Sequence, residues 1–165
     1  MRVWALVAMF LLACDEPVQE APQVASERGA PPEVQRPYDE NADADAEIRA
    51  ALERAGEDKR VLLMFGANWC PWCRRLEHVF LNNADVSAKL RESFEVVHVN
   101  TGARGTGVNA AVNERYGNPL QHGLPVLVVL DGRGEVVRMQ ETGSLESGDR
   151  HDPARVLAFL GEVSP

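Results

Sequence analysis

Two cysteines three residues apart, set where a buried strand hands over to a helix, constrain this chain more than any other feature. Val61-Leu62-Leu63-Met64-Phe65 is an unbroken apolar run, the pattern of a strand covered on both faces. Ala67-Asn68-Trp69-Cys70-Pro71-Trp72-Cys73 follows, and then a helical pattern carrying Leu76, Val79 and Phe80. Pro71 suits the first helical turn, where its missing N–H costs nothing. A thiol at a helix N-terminus lies near free backbone N–H groups and the positive end of the dipole, so its thiolate is favoured. Cys73 stands one turn further on, close enough to close a small disulfide ring. The expectation is an exposed, nucleophilic Cys70 and a Cys73 that resolves the mixed disulfide.

The rest of the domain reads as alternating helices and strands. Asp43 or Asp45 caps a helix that runs to about Ala55, with Ile48, Leu52 and Ala55 inward and Gly56 as its stop. Residues 85–92 form a short helical piece, and Phe94 to Val99 a second strand. Val108, Ala111, Val112 and Tyr116 share a helical face that closes at Gly117. Val126 to Leu130 is a buried strand, and Asp131-Gly132-Arg133-Gly134 turns it into Glu135 to Met139. Asp152 caps the last helix, with Pro153 in its first turn and Val156, Leu157 and Leu160 inward. This order predicts an α/β fold, a central mixed sheet flanked by helices, parallel early and antiparallel late.

The N-terminal part has a different character. Arg2 precedes a ten-residue apolar run, Val3 to Leu12, which is short for a membrane span and suits the core of an export signal. The run ends in Leu11-Leu12-Ala13-Cys14, which resembles the lipobox of bacterial lipoproteins. The resemblance implies cleavage after residue 13, lipid on Cys14, and a place on the periplasmic side of a membrane. Asp15 resembles the residue that holds some lipoproteins at the inner membrane. With Cys14 acylated, the three cysteines reduce to one neighbouring pair facing an oxidising compartment. Residues 14–40 hold five of the ten prolines, and residues 15–40 carry seven acids against two arginines, so they read as a self-repelling tether. Residues 41–165 are then the folded domain, with 18 acids against 14 bases.

Strand, Trp-Cys-x-x-Cys and helix together resemble the thioredoxin superfamily, nearest its periplasmic members and the C-terminal domain of DsbD. Gly123-Leu124-Pro125, ahead of the hydrophobic strand, matches as well. The resemblance covers roughly residues 58–165. It implies a thioredoxin-like fold and a redox-active Cys70–Cys73 disulfide. It also implies a cis Pro125 that holds substrate backbone with Leu124, and a rim shaped by Trp69 and Trp72. The chain departs from the family in three places. Met64 stands where many members carry a buried Asp, and Glu77, four residues after Cys73, is the substitute proton carrier. The Pro-Trp spacer differs from those of thioredoxins and of strong periplasmic oxidants. The polar stretch Glu141 to His151 is long for its place and reads as a surface insertion.

Several functions are excluded or ranked below this one. A net charge of −8 argues against nucleic-acid partners. Gly102, Gly105 and Gly107 have the wrong spacing for a phosphate loop, and no Ser-His-Asp set is evident. His78 reads as helix surface, and His122 falls near the thiols, where it would make a copper or zinc site with Cys70 and Cys73. The expected function is thiol–disulfide exchange with protein substrates, as a reductant rather than an oxidant, needing no cofactor or metal. The expected form is a lipid-anchored monomer recycled by a redox partner in its membrane. A metal chaperone and a non-enzymatic interaction module on the same scaffold are the alternatives.

Overall fold

The computed structural model describes residues 36–165. The leader, Cys14, Asp15 and most of the tether lie outside the described residues. Helix α1 (Ala44–Ala55) is capped by Asp43, whose carboxylate accepts from the Ala46 N–H at 3.1 Å, and ends at Gly56 with φ +55°. Such a cap contributes about 1 kcal/mol, and the positive φ explains why glycine stands there. Strand β1 (Arg60–Gly66) leads into α2 (Pro71–Asn82), and α3 (Ala84–Ser93) into β2 (Phe94–Asn100). A short α4 (Ala110–Arg115) precedes β3 (Val126–Leu130) and β4 (Val136–Glu141). Two-residue strands β5 (Glu146–Ser147) and β6 (Arg150–His151) pair before α5 (Pro153–Glu162), which Asp152 caps.

The main sheet runs β2-β1-β3-β4. β1 pairs β2 in parallel and β3 antiparallel, and β3 pairs β4 antiparallel, as the element order predicts. Because β1 is central, its alternate residues enter two different cores. Val61, Leu63 and Phe65 face Ile48 and Ala51 of α1, together with Val112 and Tyr116. Leu62 and Met64 face Leu76 and Phe80 of α2, Leu90 of α3 and Leu160 of α5. Each fully buried aliphatic side chain stabilises the fold by roughly 1.5–3 kcal/mol, and after Arg60 at its start the strand carries no polar side chain. The second of these cores holds α2 at the C-terminal end of β1.

Two expectations need correction. The face predicted around α4 is narrower than the pattern implied: Val112 and Tyr116 are buried, but Val108 lies outside the helix and it and Ala111 are exposed. Left-handed Asn109 starts that helix late, so the spacing of Val108 no longer follows a helical period. The packed domain also begins ahead of residue 41. Tyr38, in the stretch read as tether, is 2% exposed and sits in the core beneath α2.

Candidate active site

Cys70 is the N-cap of α2, and its sulfur accepts from the Cys73 backbone N–H at 3.3 Å. Both cysteines are free thiols. The environments of the two sulfurs pull in opposite directions. The Cys70 thiol is lowered to about 6, first by a hydrogen bond from the Cys73 thiol, then by backbone N–H groups of Cys73 and Trp72 and the charge of Arg74, against burial. The Cys73 thiol is pushed far up, first because its proton serves Cys70 and then by burial. The shared proton and the burial thus favour the anion at Cys70 and the thiol at Cys73, and the backbone N–H groups of the helix start add to the first effect. Cys70 is less exposed than expected, at 4% against 0% for Cys73. Its sulfur lies under the Leu124 carbonyl, 3.8 Å away, so only an edge reaches solvent.

The rim is built from residues close to the cysteines. The Leu124–Pro125 peptide bond is cis, and the Pro125 carbonyl accepts from Thr142 Oγ1 at 2.9 Å. Trp69 is 41% exposed, donates from Nε1 to the Gly102 carbonyl at 2.7 Å, and carries Arg104 over its ring at 4.8 Å. Trp72 is half-buried, with Arg75 over its ring at 4.7 Å and His151 edge-on at 5.4 Å. A cleft runs from Asn68 and Trp69 to the Gly102–Val108 loop. The rim therefore offers flat apolar surface edged by cations.

The floor is built from residues far apart in sequence. Glu77 is 6% exposed, and its Oε2 lies 2.7 Å from His98 Nε2 on β2. Glu77 is therefore a buried, paired side chain rather than a solvated one. The Tyr38 ring packs edge-on against His98 at 5.5 Å. Its backbone is clamped by Asn68, which accepts from the Tyr38 N–H at 3.2 Å and donates Nδ2 to the Tyr38 carbonyl at 2.8 Å. Gly66 is required where this floor meets the thiols. A Cβ there would collide with the Tyr38 hydroxyl and stand 2.8 Å from the Cys73 sulfur.

The model of the thioredoxin-like family matches residues 40–132, more than half of the chain. The chain belongs to the thioredoxin-like family. Among solved structures it is similar to a disulphide isomerase from Xylella fastidiosa Temecula1, at 32% identity and a TM-score of 0.69, covering 78% of this chain and 97% of that one. A thioredoxin from Thermus thermophilus gives 26% identity and a TM-score of 0.50, covering 70% of this chain and 82% of that one. The DsbD C-terminal domain of Neisseria meningitidis, in its oxidised form, shares the fold at 22% identity and a TM-score of 0.51, covering 73% and 96%. No curated protein matches the chain.

Against that thioredoxin-like frame, two features differ from expectation. His122 is exposed, with Gln121 as its neighbour, and is not gathered with the thiols. Among the described residues no three His, Cys, Asp or Glu side chains cluster to hold a metal ion, so the Cys70, Cys73 and His122 site does not form. The stretch Glu141 to His151 does more than cover surface. Thr142, Leu145 and His151 are buried, and His151 Nε2 lies 3.3 Å from the Trp72 carbonyl. The segment thus braces both walls of the site, Pro125 and Trp72. Sequence reasoning missed Tyr38, His98 and His151. The one available signal was Tyr38, the lone aromatic in an otherwise small and polar stretch.

Proposed function

We propose that the chain is a thiol–disulfide oxidoreductase acting on protein disulfides, with Cys70 as nucleophile and Cys73 as resolving thiol. The observation that carries this reading is the pair of sulfurs at the start of α2, with Cys70 at the N-cap accepting from the Cys73 N–H at 3.3 Å, its thiol lowered and that of Cys73 raised. The Cys70 thiolate attacks one sulfur of a substrate disulfide, forming a mixed disulfide and releasing the other sulfur as a thiolate that takes a proton from water. Cys73 then loses its proton and attacks the Cys70 sulfur. The second substrate sulfur departs, the Cys70–Cys73 disulfide forms, and two electrons have passed to the substrate. A dithiol donor in the membrane restores the pair. Trp69, Trp72, Leu124 and Pro125 dock the substrate chain, and Glu77 carries the proton through its contact with His98.

The reductant direction is favoured by the acidity of Cys70. A value near 6 stands closer to that of thioredoxin, about 7, than to that of the strong oxidant DsbA, about 3.5. A second reading, isomerase, draws on the likeness to the Xylella disulphide isomerase and uses the same thiolate. The lipobox-like Leu11-Leu12-Ala13-Cys14 supports action from a lipid anchor on the periplasmic side. Loss of lipid labelling in Cys14→Ser tests that part.

The central test is reduction of a protein disulfide by wild type and Cys70→Ser. Cys70→Ser is expected at background, and exchange at the wild-type rate sinks the assignment. The potential of the pair separates the two directions. A value of about −230 mV or lower fits a reductant, and one above about −180 mV fits an isomerase or oxidant.

A further inference from the structure

The Tyr38 hydroxyl is buried and, among the described residues, has no hydrogen-bond partner, sulfur included. A phenol in that state costs the fold its desolvation, so its retention needs a reason. What the hydroxyl does face is sulfur. It and the Cys73 sulfur crowd the same point above Gly66, where no side chain fits. The clamp from Asn68, two residues before Cys70, fixes Tyr38 to the loop that bears the thiols. We propose that Tyr38 is a catalytic residue of the exchange reaction, donating a hydrogen bond to the Cys73 sulfur as it becomes a thiolate in the resolving step.

This inference rests on the assignment of Cys70 as nucleophile and Cys73 as resolving thiol. In that step the bond between Cys70 and the substrate sulfur breaks and the Cys70–Cys73 bond forms. The proton lost by Cys73 is balanced by the one the departing substrate thiolate takes up, and Tyr38 keeps its own throughout. Burial, followed by the charges of Cys73, Cys70 and Glu77, holds the phenol well above its ordinary range. It is therefore a donor at every working pH. The groups that face it are Cys70, Cys73 and Glu77 on α2 and His98 on β2. The Tyr38 hydroxyl and the Ala67 N–H act against the upward push on the Cys73 thiol. Without the hydroxyl, the resolving sulfur forms its anion in an apolar floor with one donor fewer.

Tyr38→Phe removes one oxygen and keeps the ring. The intact chain is used, carrying Cys14→Ser so that only the pair reports. The reduced chain is mixed with dithiobis-nitrobenzoate, an aromatic disulfide that releases a coloured thiolate twice. The first release follows attack by Cys70 and the second follows attack by Cys73. Tyr38→Phe is expected to leave the first phase unchanged and slow the second at least about tenfold, with its pH profile displaced upward. A second phase at the wild-type rate, or both phases slowed alike, overturns the proposal. The melting temperature of Tyr38→Phe is expected at or above wild type, because an unpartnered buried group is removed. A clear fall means the hydroxyl already has a structural partner, which also overturns it. If Cys70→Ser releases its single thiolate at the rate of the wild-type first phase, the underlying assignment fails instead.

Discussion

The two sulfurs of the Trp-Cys-Pro-Trp-Cys turn lie three residues apart at the start of one helix, yet they face two differently built regions. The rim around Cys70 has a local centre: Trp69, Trp72 and Arg74 lie within four residues, while the Leu124–Pro125 turn, Arg104 and His151 come from afar. The floor beneath Cys73 is assembled from Tyr38, Gly66, Glu77 and His98, brought together by the sheet and by the Asn68 clamp. The rim is edged by cations and open to a cleft, whereas the floor is sealed and apolar but for a few paired groups. The division suits exchange chemistry, in which one sulfur meets foreign chains and the other meets only its neighbour.

The comparison breaks most visibly when the floor loses its sulfur. Cys73→Ser should abolish multiple turnover while leaving one attack by Cys70, so the mixed disulfide with substrate accumulates. Mass measurement of the trapped adduct checks this. If turnover continues at the wild-type rate, Cys73 is not the resolving group and the two regions have been assigned the wrong roles. Gly66→Ala tests how tightly the floor is closed. The added methyl meets the Tyr38 ring carbon at 2.5 Å and the Cys73 sulfur at 2.8 Å. Overpacking of that kind lowers stability by about 1–3 kcal/mol in denaturant titration. An unchanged midpoint would mean that the floor yields easily.

The contrast also explains what was legible in the sequence. The α/β class, every main strand and the helix that bears the cysteines follow from periodicity and caps, because β1 and β3 are buried on both faces and α2 has one apolar face. The Trp69–Cys73 part of the rim was legible too, since its residues are consecutive. The floor was not. Tyr38 lies 30 residues before Asn68, and His98 lies 21 residues after Glu77; no local period links either pair. Tyr38 was also hidden by its setting, a proline-rich acidic stretch that composition reads as tether. His151 was hidden because the Glu141 to His151 segment looks largely polar, and its buried residues, Thr142, Leu145 and His151, follow no regular period.

The opposed acidities sharpen the comparison further. The Cys70 thiol is lowered from 9.0 to about 6, so its rate of alkylation should rise through pH 6 and level off well before an ordinary thiol begins to ionise. The reduced chain gains stability over that same window as pH rises, since the unfolded thiol still holds its proton there, and loses it as pH falls through about 6. Cys73→Ala removes the largest cause and should move the alkylation midpoint upward. A midpoint that stays near 6 would place the cause in the helix terminus alone.

His151 tests whether the brace behind Trp72 behaves like the sealed floor. Burial lowers this imidazole below its ordinary 6.5. The unfolded chain therefore takes up a proton before the folded one does, and stability is lost as pH falls from 6.5 through the folded value. The contribution to the slope is at most about 1.4 kcal/mol per pH unit. His151→Phe keeps a ring against Trp72 and should flatten the curve of unfolding free energy against pH in that window. An unchanged curve would show that other groups carry the dependence.

The smallest effect belongs to the rim. The charge of Arg74 supports the Cys70 thiolate after the hydrogen bonds have acted, and its guanidinium also donates to the Asn68 carbonyl at 3.2 Å. A partly solvated cation is screened, so Arg74→Met should raise the Cys70 alkylation midpoint only slightly and slow the rate at pH 6 by less than about fivefold. Added salt should slow the wild type toward the variant and leave the variant nearly unchanged. Should Arg74→Met instead match the loss seen on removing the Cys73 thiol, solvent screening at the rim is weaker than its exposure implies, and the electrostatic division between rim and floor disappears.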